Sequence, residues 1–82
     1  MNLRAQIEGL IRELQKENKK FVEHQRETDD LISQLGQLWN ESRNNAQQGI
    51  MDSLKTIADQ YRSAGESVWK AKERLEQVAS RL

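Results

Sequence analysis

The sequence predicts an all-α protein: an antiparallel two-helix hairpin, dimerising or pairing with a partner into a four-helix bundle. Three observations predict it. Apolar residues recur at heptad spacing in each half, proline is absent with only 4 glycines in 82 residues, and one short polar stretch separates the halves. Proline breaks helices and glycine weakens them, so a chain nearly free of both suits long helices better than a turn-rich sheet.

The first helix is expected over about residues 3–39. Leu3, Ile7, Leu10, Leu14, Glu17, Phe21, His24, Thr28, Leu31, Leu35 and Leu38 follow alternating steps of four and three, an a/d ladder with three polar rungs. In heptad letters Ile7, Leu14, Phe21, Thr28 and Leu35 are a positions, and Leu3, Leu10, Glu17, His24, Leu31 and Leu38 are d positions. A turn is expected over about residues 40–45, where Asn40, Ser42, Asn44 and Asn45 are candidate helix caps. The second helix is expected over about residues 46–81. Its ladder is Ile50, Leu54, Ile57, Tyr61, Ala64, Val68, Ala71, Leu75, Val78 and Leu82, whose one polar group is the tyrosine hydroxyl.

The two ladders mesh when residues whose numbers sum to 85 are paired. Leu14 then faces Ala71, Phe21 faces Ala64, His24 faces Tyr61, Leu31 faces Leu54 and Leu35 faces Ile50, with large residues opposite small ones. The expected hairpin seam is Leu14, Phe21, His24, Leu31, Leu35, Ile50, Leu54, Ile57, Tyr61, Val68 and Leu75, within a single domain spanning residues 1–82. His24, Glu17 and Thr28 read as polar rungs that select register.

Composition restricts what such a hairpin can do. With 13 basic against 13 acidic residues interleaved along the chain, no positive field exists to track phosphates, so nucleic acid is not an expected partner. Without cysteine and with 1 histidine, neither a disulfide framework nor a zinc centre is expected. Apolar runs of two residues cannot span a bilayer, and the first ten residues lack the apolar core of a cleavable signal. No glycine-rich phosphate loop or nucleophile elbow is present. No catalytic, cofactor-binding or metal-ligating residue is therefore nominated, and the protein is expected to be non-enzymatic.

A chain below about 100 residues holds one core at most, and near roughly 70–80 residues that core struggles to offset chain entropy, so further burial is needed. Ile11, Ile32, Trp39 and Met51 occupy e positions, while Ala58, Gly65 and Ala79 keep the same flank of the second helix small. A stripe of a, d and e is wider than a two-helix seam and reads as a helix with two neighbours. Trp69 and Val22 fall at b, away from the seam, where an exposed indole serves as an interaction anchor. The candidate partner-binding residues are thus Trp39, Trp69, Val22, Ile11, Ile32 and Met51, with Trp39 also placed to close the end of the seam.

Two heptad-rich helices joined by a polar turn that begins at a mid-chain tryptophan resemble the W-x-G, or ESAT-like, family of small proteins of type VII secretion systems. The residues that carry the likeness are Leu35, Leu38 and Trp39, then Asn40, Glu41 and Ala46, then Ile50, Leu54, Ile57 and Tyr61. Position 41 is Glu where the family has Gly, and Gly65 stands where an acid would complete the export signal begun at Tyr61. The resemblance implies a divergent secreted substrate, or a co-exported targeting partner of a larger toxin. Its partner would be another helical hairpin, itself or a related protein, or the helical domain of the toxin, and it would be cytoplasmic before export. Two alternatives share the helical features: a cytosolic coiled-coil adaptor or assembly subunit, and a type III secretion needle or chaperone-like hairpin, whose usual proline-containing turn this chain lacks.

Overall fold

Each half of the chain folds into one continuous helix, because the heptad pattern gives each an apolar stripe and no residue interrupts it. The computed structural model describes residues 2–39 and 44–82. Helix α1 runs Leu3–Leu38 and helix α2 runs Asn45–Ser80, 36 residues each. They pack antiparallel in a rod of 62 × 15 × 14 Å. Residues 40–43 lie outside the described residues, and with them the capping candidates Asn40 and Ser42 and the motif position Glu41.

The helix starts are set by asparagine caps. Asn2 accepts a hydrogen bond from the Ala5 N–H at 3.3 Å, supplying one of the four backbone donors that a helix start leaves unpaired. Asn44 forms a full capping box with Gln47: the Gln47 N–H donates to Asn44 Oδ1 at 2.8 Å, and the Asn44 N–H donates to Gln47 Oε1 at 3.0 Å. Of the cap candidates in the expected turn, Asn44 thus serves, and Asn45 is the first helical residue. At the other end of α1 the Trp39 N–H closes the last turn on the Leu35 carbonyl at 2.9 Å.

The helices meet at the expected height along their axes. His24 stacks on Tyr61 with ring centroids 5.3 Å apart, and the Asn18 amide reaches the Gly65 carbonyl at 2.9 Å. Their rotation about those axes differs from the sequence expectation. Apart from Gly9 and Gly36, the buried or half-buried residues of α1 and its cap fall at 7, 11, 14, 18, 21, 25, 28, 32, 35 and 39, which are a and e positions. On α2 the most buried residues are Met51, Ala58, Gly65, Lys72 and Ala79, one per heptad and all at e. The seam is therefore a/e, and the d column turns outward.

Close packing and desolvation account for that rotation. The e column of α2 is mostly small, so the backbones approach closely there, and Phe21 Cβ comes to 3.5 Å from where a Gly65 Cβ would lie. An a/d seam would bury the Glu17 carboxylate and the His24 ring. The a/e seam instead encloses the neutral amide of Asn18, which finds a backbone acceptor, and the side chain of Lys72, whose ammonium is paired with Glu76.

Met51 is 2% exposed and its truncation leaves a cavity, so Met51→Ala is expected to cost about 3 kcal/mol of unfolding free energy. A methyl at Gly49 meets nothing within 4 Å, so Gly49→Ala is expected to gain about 1 kcal/mol from helix propensity. Urea denaturation checks both, as opposite shifts of midpoint at unchanged slope.

Candidate interaction site

The rotated seam divides the hairpin surface into two unlike flanks. Because the helices run antiparallel, the d positions of both face one side and the b positions of both face the other. On the d side stand Leu3, Leu10, Leu31 and Leu38 from α1 with Ile50, Ile57 and Val78 from α2, between 39% and 74% exposed. They cluster toward the two ends of the rod. The middle is polar or small, with Glu17 and His24 on α1 and Ala64 and Ala71 on α2.

The central polar groups are engaged only locally. Glu17 accepts from Lys20 Nζ at 3.3 Å, one turn along the same helix. His24 keeps about half of its side chain exposed, with Nδ1 3.7 Å from Glu27 and its ring against Tyr61. The Thr28 hydroxyl donates back to the His24 carbonyl at 2.8 Å. Such solvent-facing pairs contribute little to stability.

The b side carries an open groove of about 330 Å³, lined by Asn18, Val22, Gln25, Tyr61, Trp69 and Glu73 among others. Val22 and Trp69 are 44% and 45% exposed, as expected from their b positions. One face of the indole is covered by the Lys72 ammonium, 3.5 Å from the ring centroid, in a cation–π contact. Lys72 lays its stem along the seam, only 7% of the residue remaining exposed, and its Nζ also meets Glu76 Oε1 at 3.1 Å. With its amide oxygen turned toward the guanidinium, Gln25 accepts from Arg62 Nε and Nη2 at 3.3 Å.

Several sequence expectations are corrected by this geometry. Leu14, Phe21, Leu35, Leu54, Tyr61, Val68 and Leu75 lie half-buried between the helices as expected. The seam candidates Leu31, Ile50 and Ile57 do not; they stand on the outward d flank together with most of His24. Conversely, of the residues expected to face a partner, Met51 is buried at the seam and Ile11, Ile32 and Trp39 are half-buried along it. The cause is the single rotation from a/d to a/e. Sequence reasoning also misses Asn18 and Lys72, and places Gly65 only on the small flank of the second helix. A small–polar match in the e columns, Asn18 at the level of Gly65, is the signal that could locate them.

Among the described residues no group of three or more acidic or histidine side chains is placed to hold a metal ion, and no helix is long and apolar enough to cross a membrane.

Asn18→Ala removes the part-buried hydrogen bond from the α1 amide to the Gly65 carbonyl of α2, and is expected to cost about 1 kcal/mol, read as a lowered denaturation midpoint. No protein-family model matches this chain, and no curated protein or solved structure matches it either.

Proposed function

We propose that the protein is a non-enzymatic helical interaction module that completes its fold by seating another helical hairpin on its d flank. The observation that carries this reading is the seven large apolar side chains on that one flank, none less than 39% exposed. Scattered exposed leucines are ordinary, but seven large apolar side chains on one face of both helices, clustered at each end of the rod, mark an interaction surface. Half-exposed Leu, Ile and Val side chains return about 1 kcal/mol each when covered. A hairpin whose enclosed core is mostly half-buried has reason to use that gain.

The biological setting proposed for this module is type VII secretion, as a divergent W-x-G-like substrate or a targeting partner co-exported with a larger toxin. Support comes from the architectural likeness and from Trp39, which ends α1 at the position where the family places its tryptophan. In this reading the chain meets the toxin's helical domain or another hairpin in the cytoplasm and leaves the cell with it. In native cells it should appear in the medium and be retained inside when the secretion ATPase is removed. Absence from the medium in both cases would leave the cytosolic adaptor as the reading.

Leu31→Asp combined with Ile57→Asp tests the surface itself. Both side chains are already exposed in the hairpin, so helicity by circular dichroism should be retained, while a charge on each helix of the flank abolishes association. Unchanged mass of the complex in light scattering would refute the d flank as the interface.

A further inference from the structure

We infer that the occupant of the d flank is a second copy of this chain laid antiparallel to the first, with Glu17 of each copy facing His24 of the other. The inference rests on the reading of that flank as an interface and adds what fills it and in which direction. The d column of α1 reads Leu3, Leu10, Glu17, His24, Leu31, Leu38, a sequence that matches itself when reversed if acid is matched to imidazole. Reversal sets Leu3 against Leu38, Leu10 against Leu31, and Glu17 against His24.

The d column of α2 reverses about Ala64, which sets Ile50 against Val78 and Ile57 against Ala71. Those two centres lie at one height in the rod. His24 stacks on Tyr61 and Asn18 bonds to Gly65, so the midpoint between Glu17 and His24 is level with Ala64. One two-fold axis across the rod therefore serves both helices, which is the condition for a closed, self-complementary interface. A face of 62 by 15 Å offers a footprint of about 900 Å² per copy, against about 800 Å² per partner in a standard stable interface.

The opposite arrangement, with both turns at the same end, also brings leucines onto isoleucines and valine. It sets Glu17 on Ala71 and His24 on Ala64, however, so each polar group is covered by a methyl with no partner across the interface. Covering a carboxylate whose donor is Lys20 of its own helix, with nothing added across the interface, is the costlier choice. The antiparallel arrangement gives Glu17 the His24 imidazole in addition to Lys20, while Glu27 and Tyr61 remain around His24 within its own hairpin. On the outer rim it brings Glu13 near Glu27 and Lys20 near its symmetry mate, contacts that stay in water and are screened.

The chain has no cysteine, which makes the test direct. Light scattering should give twice the chain mass, and Ala64→Cys, beside the two-fold axis, should form a covalent dimer on mild oxidation. Leu10→Cys alone should not, whereas mixed with Leu31→Cys it should. Glu17→Lys or His24→Glu should each weaken the dimer about tenfold, and the double variant should recover most of that loss. Circular dichroism of each variant checks folding, and both sites are exposed in the hairpin.

A dimer by mass in which Ala64→Cys does not crosslink, or in which the double charge variant recovers nothing, overturns the antiparallel pairing and leaves the flank as an interface. A monomer that still binds a different hairpin, in a complex that Leu31→Asp with Ile57→Asp abolishes, overturns the second copy alone. A monomer with no association sensitive to those substitutions overturns both.

Discussion

The close approach of the two helices along the small e column of α2 is the constraint from which the rest of the molecule follows. Ala58, Gly65 and Ala79 present little side chain, so the a and e residues of α1 can settle near the α2 backbone, and Met51 fills the space left toward the turn. At the centre, Asn18 bonds directly to the Gly65 carbonyl, and a Cβ at position 65 would touch both the Asn18 amide and Phe21 at 3.5 Å. Dispersion energy falls steeply with distance, so this narrow strip contributes more to holding the helices together than its length suggests.

That choice of seam decides what the surface offers. Turning e inward turns d outward, and the residues spaced most regularly along the sequence become the exposed flank. The hairpin thereby carries its own interface: a rod with leucines, isoleucines and a valine at both ends of one face and charged or small residues at its middle. The opposite flank is different in kind. Beside its Trp69–Val22 groove, Lys72 lies buried at the seam while its ammonium serves both the indole and Glu76.

Desolvation links the seam inside the hairpin to the one proposed between copies. Within one chain the carboxylate of Glu17 and the ring of His24 are left toward water, while the groups enclosed at the seam each find a partner: the Asn18 amide a backbone carbonyl, the Lys72 ammonium the Glu76 carboxylate. Between two chains the same two groups stand at the centre of the flank, where each can be satisfied by the other. A polar centre flanked by apolar ends favours one register and one direction over the many that a uniform leucine face would allow.

Sequence alone determined the class, the two helices to within a residue at each described end, a set of cap candidates that includes Asn44, and the height at which His24 meets Tyr61. These follow from local propensity and from a repeat that runs the length of each helix. The rotation of each helix about its axis was settled only by tertiary structure. The a, d and e columns are all apolar enough to be buried, and adjacent columns differ by about half a right angle, so periodicity cannot rank them. What ranked them was the fit between a strip of small residues and its neighbour, with the cost of enclosing Glu17. Both are properties of two surfaces in contact rather than of either helix read by itself.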